Sequence, residues 1–286
     1  MANEFLSDHS GKSVVIKAEQ KHSRIGRILV EIGVDMEKIN PDIIGRIELM
    51  NEKTPAFIDD LHAAIKTARK IFKYYEKHKS NEIFSEEEKR TVEIGTLFSD
   101  IGKTGPKDAT MEQRTLILEM FGIENIENPQ MSAEDFLKKY FPEDFDRRSS
   151  IFVAMGFNPQ MTMRQFWNLH AQWVLGIIGN DGVPPEAVAG AATHQMIEGI
   201  NPDNIVDKDG KFIKYFGNNA FFDRAEKLII ILDKYYAARR RGGKTHGEAL
   251  AFVQEQIAQR SPRFANDPEF RILFNDLNEV VKEEGV

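Results

Sequence analysis

Leu97-Phe98-Ser99-Asp100-Ile101-Gly102-Lys103 is the stretch on which both fold and function of this chain turn. It closes a predicted helix. Upstream, Ser85-Glu86-Glu87-Glu88 reads as a capping box with acidic residues in the first turn. Side-chain oxygens there satisfy free backbone N–H groups and face the positive end of the helix dipole. Gly102 supplies a stop.

Outward from that helix the apolar periodicity is helical almost throughout. Ile25, Ile28, Leu29 and Ile32 recur at helical spacing over 22–34, and Asn40-Pro41 predicts a helix start with proline in its first turn. Leu61, Ile65, Ala68, Phe72 and Tyr75 form one face of an amphipathic helix over 57–78. Ser132 to Asp135 predicts a second capping box, and 142–161 reads as irregular, punctuated by Pro142 and Pro159. Thr162 opens a helix carrying Phe166, Trp167, His170, Trp173, Val174 and Ile177; Pro184-Pro185 opens the next, to about His194. Residues 201–219 read as a loop. A helix over 220–241, apolar on nearly every side around Leu228–Leu232, is expected at the centre of the fold. Thr245 to Glu248 and Asp267-Pro268 open the last two helices, and no internal repeat is read. The expectation is an all-α helical bundle over 51–286 with a short N-terminal helical extension over 1–50.

The chain of 286 residues is long enough to bury a sizeable core. Its formal charge of −7 argues against a broad nucleic-acid surface, because phosphate backbones require clustered cations. A local phosphate pocket remains compatible with it. No cysteine is present, which excludes disulfides and thiolate zinc sites. No apolar run approaches the roughly 20 residues of a membrane helix. The N-terminus lacks the apolar core of a secretory signal, and a cytoplasmic protein is expected.

Several residues in this pattern carry chemistry. Asp233 follows Leu-Ile-Ile-Ile-Leu and shares a stripe with Phe222, Ala225, Ile229, Leu232 and Tyr236. An unpaired carboxylate there would be costly, so it needs a cation: one of Arg239 to Arg241 in a structural ion pair, or a metal. His170 lies on an apolar stripe, as a hydrogen-bonded core residue or a ligand. His62 flanks its helix face and is equally readable as a surface residue, and His194 sits near a helix end before Gly199, where it could cap. The run Arg239–Arg241 reads either as a solvated helix C-terminus or as a phosphate-binding patch.

The order His62, Asp100, His170, His194, Asp233 resembles the HD superfamily of metal-dependent phosphohydrolases, and within it the HD-GYP branch of cyclic-dinucleotide phosphodiesterases. That family places its ligands in the order His, His-Asp, His, His-His, Asp, on separate helices of an all-α core. Asp100-Ile101-Gly102-Lys103 matches the motif centre, Trp167-Asn168-Leu169-His170 the next His-bearing helix, and Ile231-Leu232-Asp233-Lys234-Tyr235-Tyr236-Ala237 the helix of the buried Asp. Arg241-Gly242-Gly243-Lys244 with Thr245-His246-Gly247-Glu248-Ala249-Leu250 is similar to the family's Arg-Pro-Tyr-Lys segment and following helix. The resemblance spans about 57–260. His22-Ser23-Arg24 also imitates the first His motif, but the spacing of His62 to Asp100 fits one helical hairpin.

The departures are specific. Ser99 replaces the motif His, Thr193 replaces the first of the paired His, and Tyr236 stands where a second Asp is usual. The Gly-Tyr-Pro loop is reduced to Gly199-Ile200-Asn201-Pro202. The resemblance implies a divalent ion (Fe, Mn, Mg or Zn), one or two per chain. His62, Asp100 and Asp233 would remain for one ion, and Asp100, His170 and His194 for the other. It implies metal-activated hydrolysis of a phosphodiester or nucleotide, a cyclic dinucleotide among the candidates. Asp100 and Lys103 would be catalytic, and Lys103, Arg241 and Lys244 would bind phosphate. The alternative is a catalytically degenerate HD domain that binds a nucleotide, a protein partner or a second copy of itself.

Overall fold

The structure, a computed structural model, describes residues 23–282, and these are mostly helical. His22 and the chain before it lie outside the described residues. The order is α1 (Arg24–Glu31), α2 (Pro41–Lys53), α3 (Pro55–His78), α4 (Glu86–Ser99), a 3-10 turn (Ile101–Thr104), α5 (Met111–Gly122), α6 (Ala133–Tyr140), α7 (Phe145–Ala154), α8 (Met163–Ile178) and α9 (Pro185–Thr193). A two-stranded antiparallel hairpin, β1 (Lys211–Phe216) and β2 (Asn219–Phe221), precedes α10 (Arg224–Gly242), α11 (His246–Arg260) and α12 (Pro268–Lys282). Among the described residues no helix is long and apolar enough to cross a membrane.

The capping chemistry forms as expected. Ser85 and Glu88 exchange the two bonds of a capping box at α4, and Ser132 accepts from the Asp135 N–H at α6. Three expectations are corrected. Residues 142–161 contain α7, which buries only Phe152 fully and so shows a weak apolar stripe. The loop expected over 201–219 holds β1, and Ala220 and Phe221 belong to β2, so the central helix begins at Arg224. The chain also contains a repeat. Asn128-Pro129-Gln130-Met131-Ser132 and Asn158-Pro159-Gln160-Met161-Thr162 form equivalent loops, each with an Asn side chain accepting from the Gln N–H at 2.9 Å. They bond each other reciprocally. Ala133 N–H donates to Met161 O at 2.8 Å and Met163 N–H to Met131 O at 3.0 Å; Glu134 and Arg164 donate likewise to Pro159 and Pro129. Thus α5–α6 and α7–α8 are two helix–loop–helix units paired through their loops.

These units enclose a second, aromatic core of Phe57, Phe121, Phe136, Phe152 and Phe166. The larger core runs through α1–α4 and α8–α12 and takes in Ile25 to Met50, so the described part of the N-terminal extension is continuous with the bundle. Arg46 on α2 is 0% exposed. Its guanidinium donates to Thr104 Oγ1 (2.8 Å) and to the carbonyls of Gly105, Pro106 and Lys107 (3.2, 3.0 and 2.6 Å), and pairs with Asp42. It therefore holds from beneath the loop that follows the Asp100 motif.

Two close approaches set the site. Gly95 and Gly190 let α4 and α9 come nearly into backbone contact. Gly102, expected as a helix stop, is used differently: α4 already ends at Ser99, and a Cβ on Gly102 would lie 1.9 Å from the His170 carbonyl oxygen. Gly102→Ala must therefore push the 3-10 turn away from α8. The expected loss is about 3 kcal/mol or more, above ordinary overpacking because backbone must move, read as a lower urea midpoint with unchanged slope.

Candidate metal centre

Three of the five expected ligands meet. Asp100 caps the end of α4, His170 lies in the third turn of α8, and His194 follows α9 directly. Their ligand atoms all lie within 4.8 Å of one another, and all three residues are buried. His170 Nε2 is 3.0 Å from His194 Nε2; Asp100 Oδ1 is 3.7 Å from the first and 4.0 Å from the second. This buried cluster can hold a metal ion.

The hydrogen bonds decide what faces inward. His170 Nδ1 is 2.5 Å from Trp167 O and His194 Nδ1 is 2.7 Å from Ala191 O. A carbonyl only accepts, so both Nδ1 atoms carry the proton, and in the neutral rings both Nε2 atoms present lone pairs. Asp100 Oδ1 has no hydrogen-bond partner. Two nitrogen lone pairs and a carboxylate oxygen thus converge on one point, an arrangement that repels itself unless a cation sits there. Burial pushes both imidazoles below their ordinary pKa, and for His170 the neighbouring His194 adds to the shift, so a proton does not fill the role at neutral pH. The separations suit an ion: atoms each about 2.1 Å from one metal are at most about 4.2 Å apart.

Asp100 and Lys103 are almost fully buried, at 5% and 6% exposure. Lys103 Nζ donates to Asp100 Oδ2 at 2.6 Å. Burial pushes the Asp100 carboxyl up, the Lys103 ammonium beside it pulls it down, and the net result lies below the usual carboxylate range. Lys103 itself sits below the usual lysine value, because burial costs its charge more than Asp100 returns.

Asp233 lies on the same cavity wall, outside the three-residue cluster. Its ion pair is with Lys234 at 3.3 Å, not with Arg239–Arg241. His62 points elsewhere: its Nε2 is 3.2 Å from Glu31 on α1, and it does not line the cavity. The ligand assignment made for it fails geometrically. Asp60, which shares the helical stripe of Phe57, Leu61 and Ala64, faces the cavity instead and pairs with Arg240 at 2.5 Å. That stripe was the available signal. Ser99 Oγ donates to Thr96 O at 2.9 Å and Thr193 Oγ1 to Ala189 O at 2.8 Å, so both hydroxyls are turned into their own helices. Residues 199–202 do not line the cavity, and Asn201 closes its own loop on Val206.

The cavity above the cluster has a volume of about 450 Å³. Arg241 and Lys244 line it, joined by Arg164 from α8, which the sequence reading missed. These three form no ion pair with the described acidic residues, whereas Lys234, Arg240 and Arg260 are paired. Trp167, Ile126 and Phe252 supply apolar wall.

A pH dependence follows from the depressed imidazoles. Unfolded histidines accept protons near pH 6.5, and the folded rings refuse them. Stability is therefore present above about pH 6.5 and falls as pH drops below it, with a limiting slope of about 1.4 kcal/mol per pH unit for each ring. Urea denaturation between pH 7.5 and 5.5 should show this, with a shallower slope in His194→Gln.

Compared with known proteins, the chain matches no family model, no curated protein and no solved structure.

Proposed function

We propose that this protein is a divergent metal-dependent phosphohydrolase of the HD type, acting on a phosphodiester or nucleotide. The observation that carries the reading is the facing of two imidazole lone pairs and an unpartnered carboxylate oxygen in a buried cluster at the floor of a cationic cavity. Two nitrogens and one oxygen, without thiolate, form a donor set suited to Fe, Mn or Zn. Asp100, His170 and His194 would hold a divalent ion, whose chemistry there would be to offset charge on a phosphoryl oxygen and to acidify water near neutral pH.

The chain's own residues do the rest. Arg241, Lys244 and Arg164, which all line the cavity, neutralise and orient the phosphate. The Trp167 and Phe252 side supports the organic part of the substrate. In the hydrolysis, a water oxygen joins phosphorus, the ester P–O bond opens, and the proton from water ends on the leaving oxygen.

The test is metal analysis of the purified protein, then hydrolysis of bis(p-nitrophenyl) phosphate and of cyclic dinucleotides with Mn(II) or Fe(II). Metal-dependent turnover lost in Asp100→Asn supports the proposal. Metal-free protein whose stability does not respond to Mn(II) or Fe(II) overturns it. The reading as a non-catalytic binding module draws on Ser99 and Thr193, whose hydroxyls are spent on helix carbonyls. It predicts bound metal and bound nucleotide without turnover.

A further inference from the structure

Resting on the metal reading above, we propose that the Lys103 ammonium is the second cation of this site, fixed on the second carboxylate oxygen of Asp100, so that the chain binds one metal and not two. Asp100 offers two carboxylate oxygens to this site. Here its oxygens are divided: Oδ1 faces His170 and His194, and Oδ2 receives Lys103 Nζ at 2.6 Å. The ammonium is 6% exposed and sits 4.1 Å from the centre of the Phe57 ring, so an aromatic face as well as a carboxylate holds it. Asp60 and Asp233 border the same space and act electrostatically on the same lysine.

Among the described residues, no second cluster of free ligands borders Lys103. His62 has turned to Glu31, Ser99 Oγ is bound to Thr96 O, Asp60 is paired with Arg240 and Asp233 with Lys234. Every carboxylate around the position already has an organic cation, whereas Asp100 Oδ1, on the other side, has none. A lysine in this role carries one charge in place of two. It is also covalently fixed, so the site holds it at any metal concentration.

Mn(II) titration of the full chain, with bound metal counted by mass spectrometry and by electron paramagnetic resonance, tests the proposal. One uncoupled Mn(II) per chain at saturation is expected. In Lys103→Met, which keeps the aliphatic stem against Phe57, Mn(II) affinity should rise roughly ten-fold, since a like charge next to the ion is removed. Lys103→Arg, which retains the charge, should restore wild-type affinity. An exchange-coupled pair of Mn(II) ions in the wild type would overturn the inference and leave the metal reading standing. Affinity unchanged or weaker in Lys103→Met would also overturn it, because a lysine that only orients Asp100 should weaken binding when lost. Wild-type protein that binds no metal would instead remove the reading beneath it. Should Lys103→Met fail to fold, the wild-type stoichiometry and coupling still decide.

Discussion

Asp100→Asn should abolish metal retention and destabilise the metal-free protein, for two separate reasons. The amide preserves shape but removes the negative charge that faces the two imidazole lone pairs. Loss of an outer partner of a metal ligand already costs 10–100-fold in affinity, so loss of a ligand charge should exceed about 100-fold. The same change strands the ammonium of Lys103, a residue 6% exposed whose ion-pair partner among the described residues is Asp100. Breaking a buried pair by removing one member costs about 3–5 kcal/mol. Equilibrium dialysis with Mn(II) reads the first effect and urea denaturation the second. The double variant Asp100→Asn/Lys103→Met separates them: stability should recover, because no charge is left unpaired, while metal affinity should not. Recovery of metal binding in the double variant would place the ion elsewhere.

Arg46→Ala should produce the second large effect, although Arg46 is not itself one of the candidate ligands. The substitution takes the guanidinium donor from buried Thr104 Oγ1 and Gly105 O, and from the more exposed carbonyls of Pro106, which keeps the Ala109 N–H, and Lys107. It also removes a partner of Asp42, which retains Arg114. Buried groups left unsatisfied cost about 1–3 kcal/mol each, and water entering the vacated space returns part, so a net loss of about 3–5 kcal/mol is expected. The loop concerned follows Lys103 directly, so metal affinity should fall together with stability although no ligand is touched. Arg46→Lys, with three donors in place of a planar fork, should recover only part of both. Full stability in Arg46→Ala would mean that the loop carbonyls are satisfied without the guanidinium.

The helical frame was legible because it rests on local signals. Apolar spacing in α3 and α8, capping boxes at α4 and α11, and proline starts at α2, α9 and α12 each act within a few residues. Asp100, His170 and His194 were legible as ligand types at helix positions that converge. What escaped depends on tertiary contact. The face that His62 takes is set by the docking of α1, which supplies Glu31, and ligand order carries no such information. The roles of Asp60 and Arg46 become visible only once partners from distant segments are placed. α7 was missed because it packs one fully buried side chain. The paired Asn-Pro-Gln-Met loops were in plain sight, but their meaning lies in hydrogen bonds exchanged between them.

Helix α8 belongs to two bodies at once. Its first turns, with Met163 and Phe166, are set in the aromatic core of the paired loops; its last turns, with Val174, Ile177 and Ile178, are set in the main bundle. His170 sits at the junction, its ring edge-on to Phe121. Ile126 and Pro129, from the first of those loops, form part of the cavity wall. A molecule held against that wall and an ion held by His170 would therefore both act on α8. Thermodynamic reciprocity then requires that whatever factor the first imposes on the affinity of the second is returned in full. If the proposed ion and substrate both bind, metal content and occupancy of the cavity would be two readings of one balance, and titrating either in the presence of the other would measure their coupling.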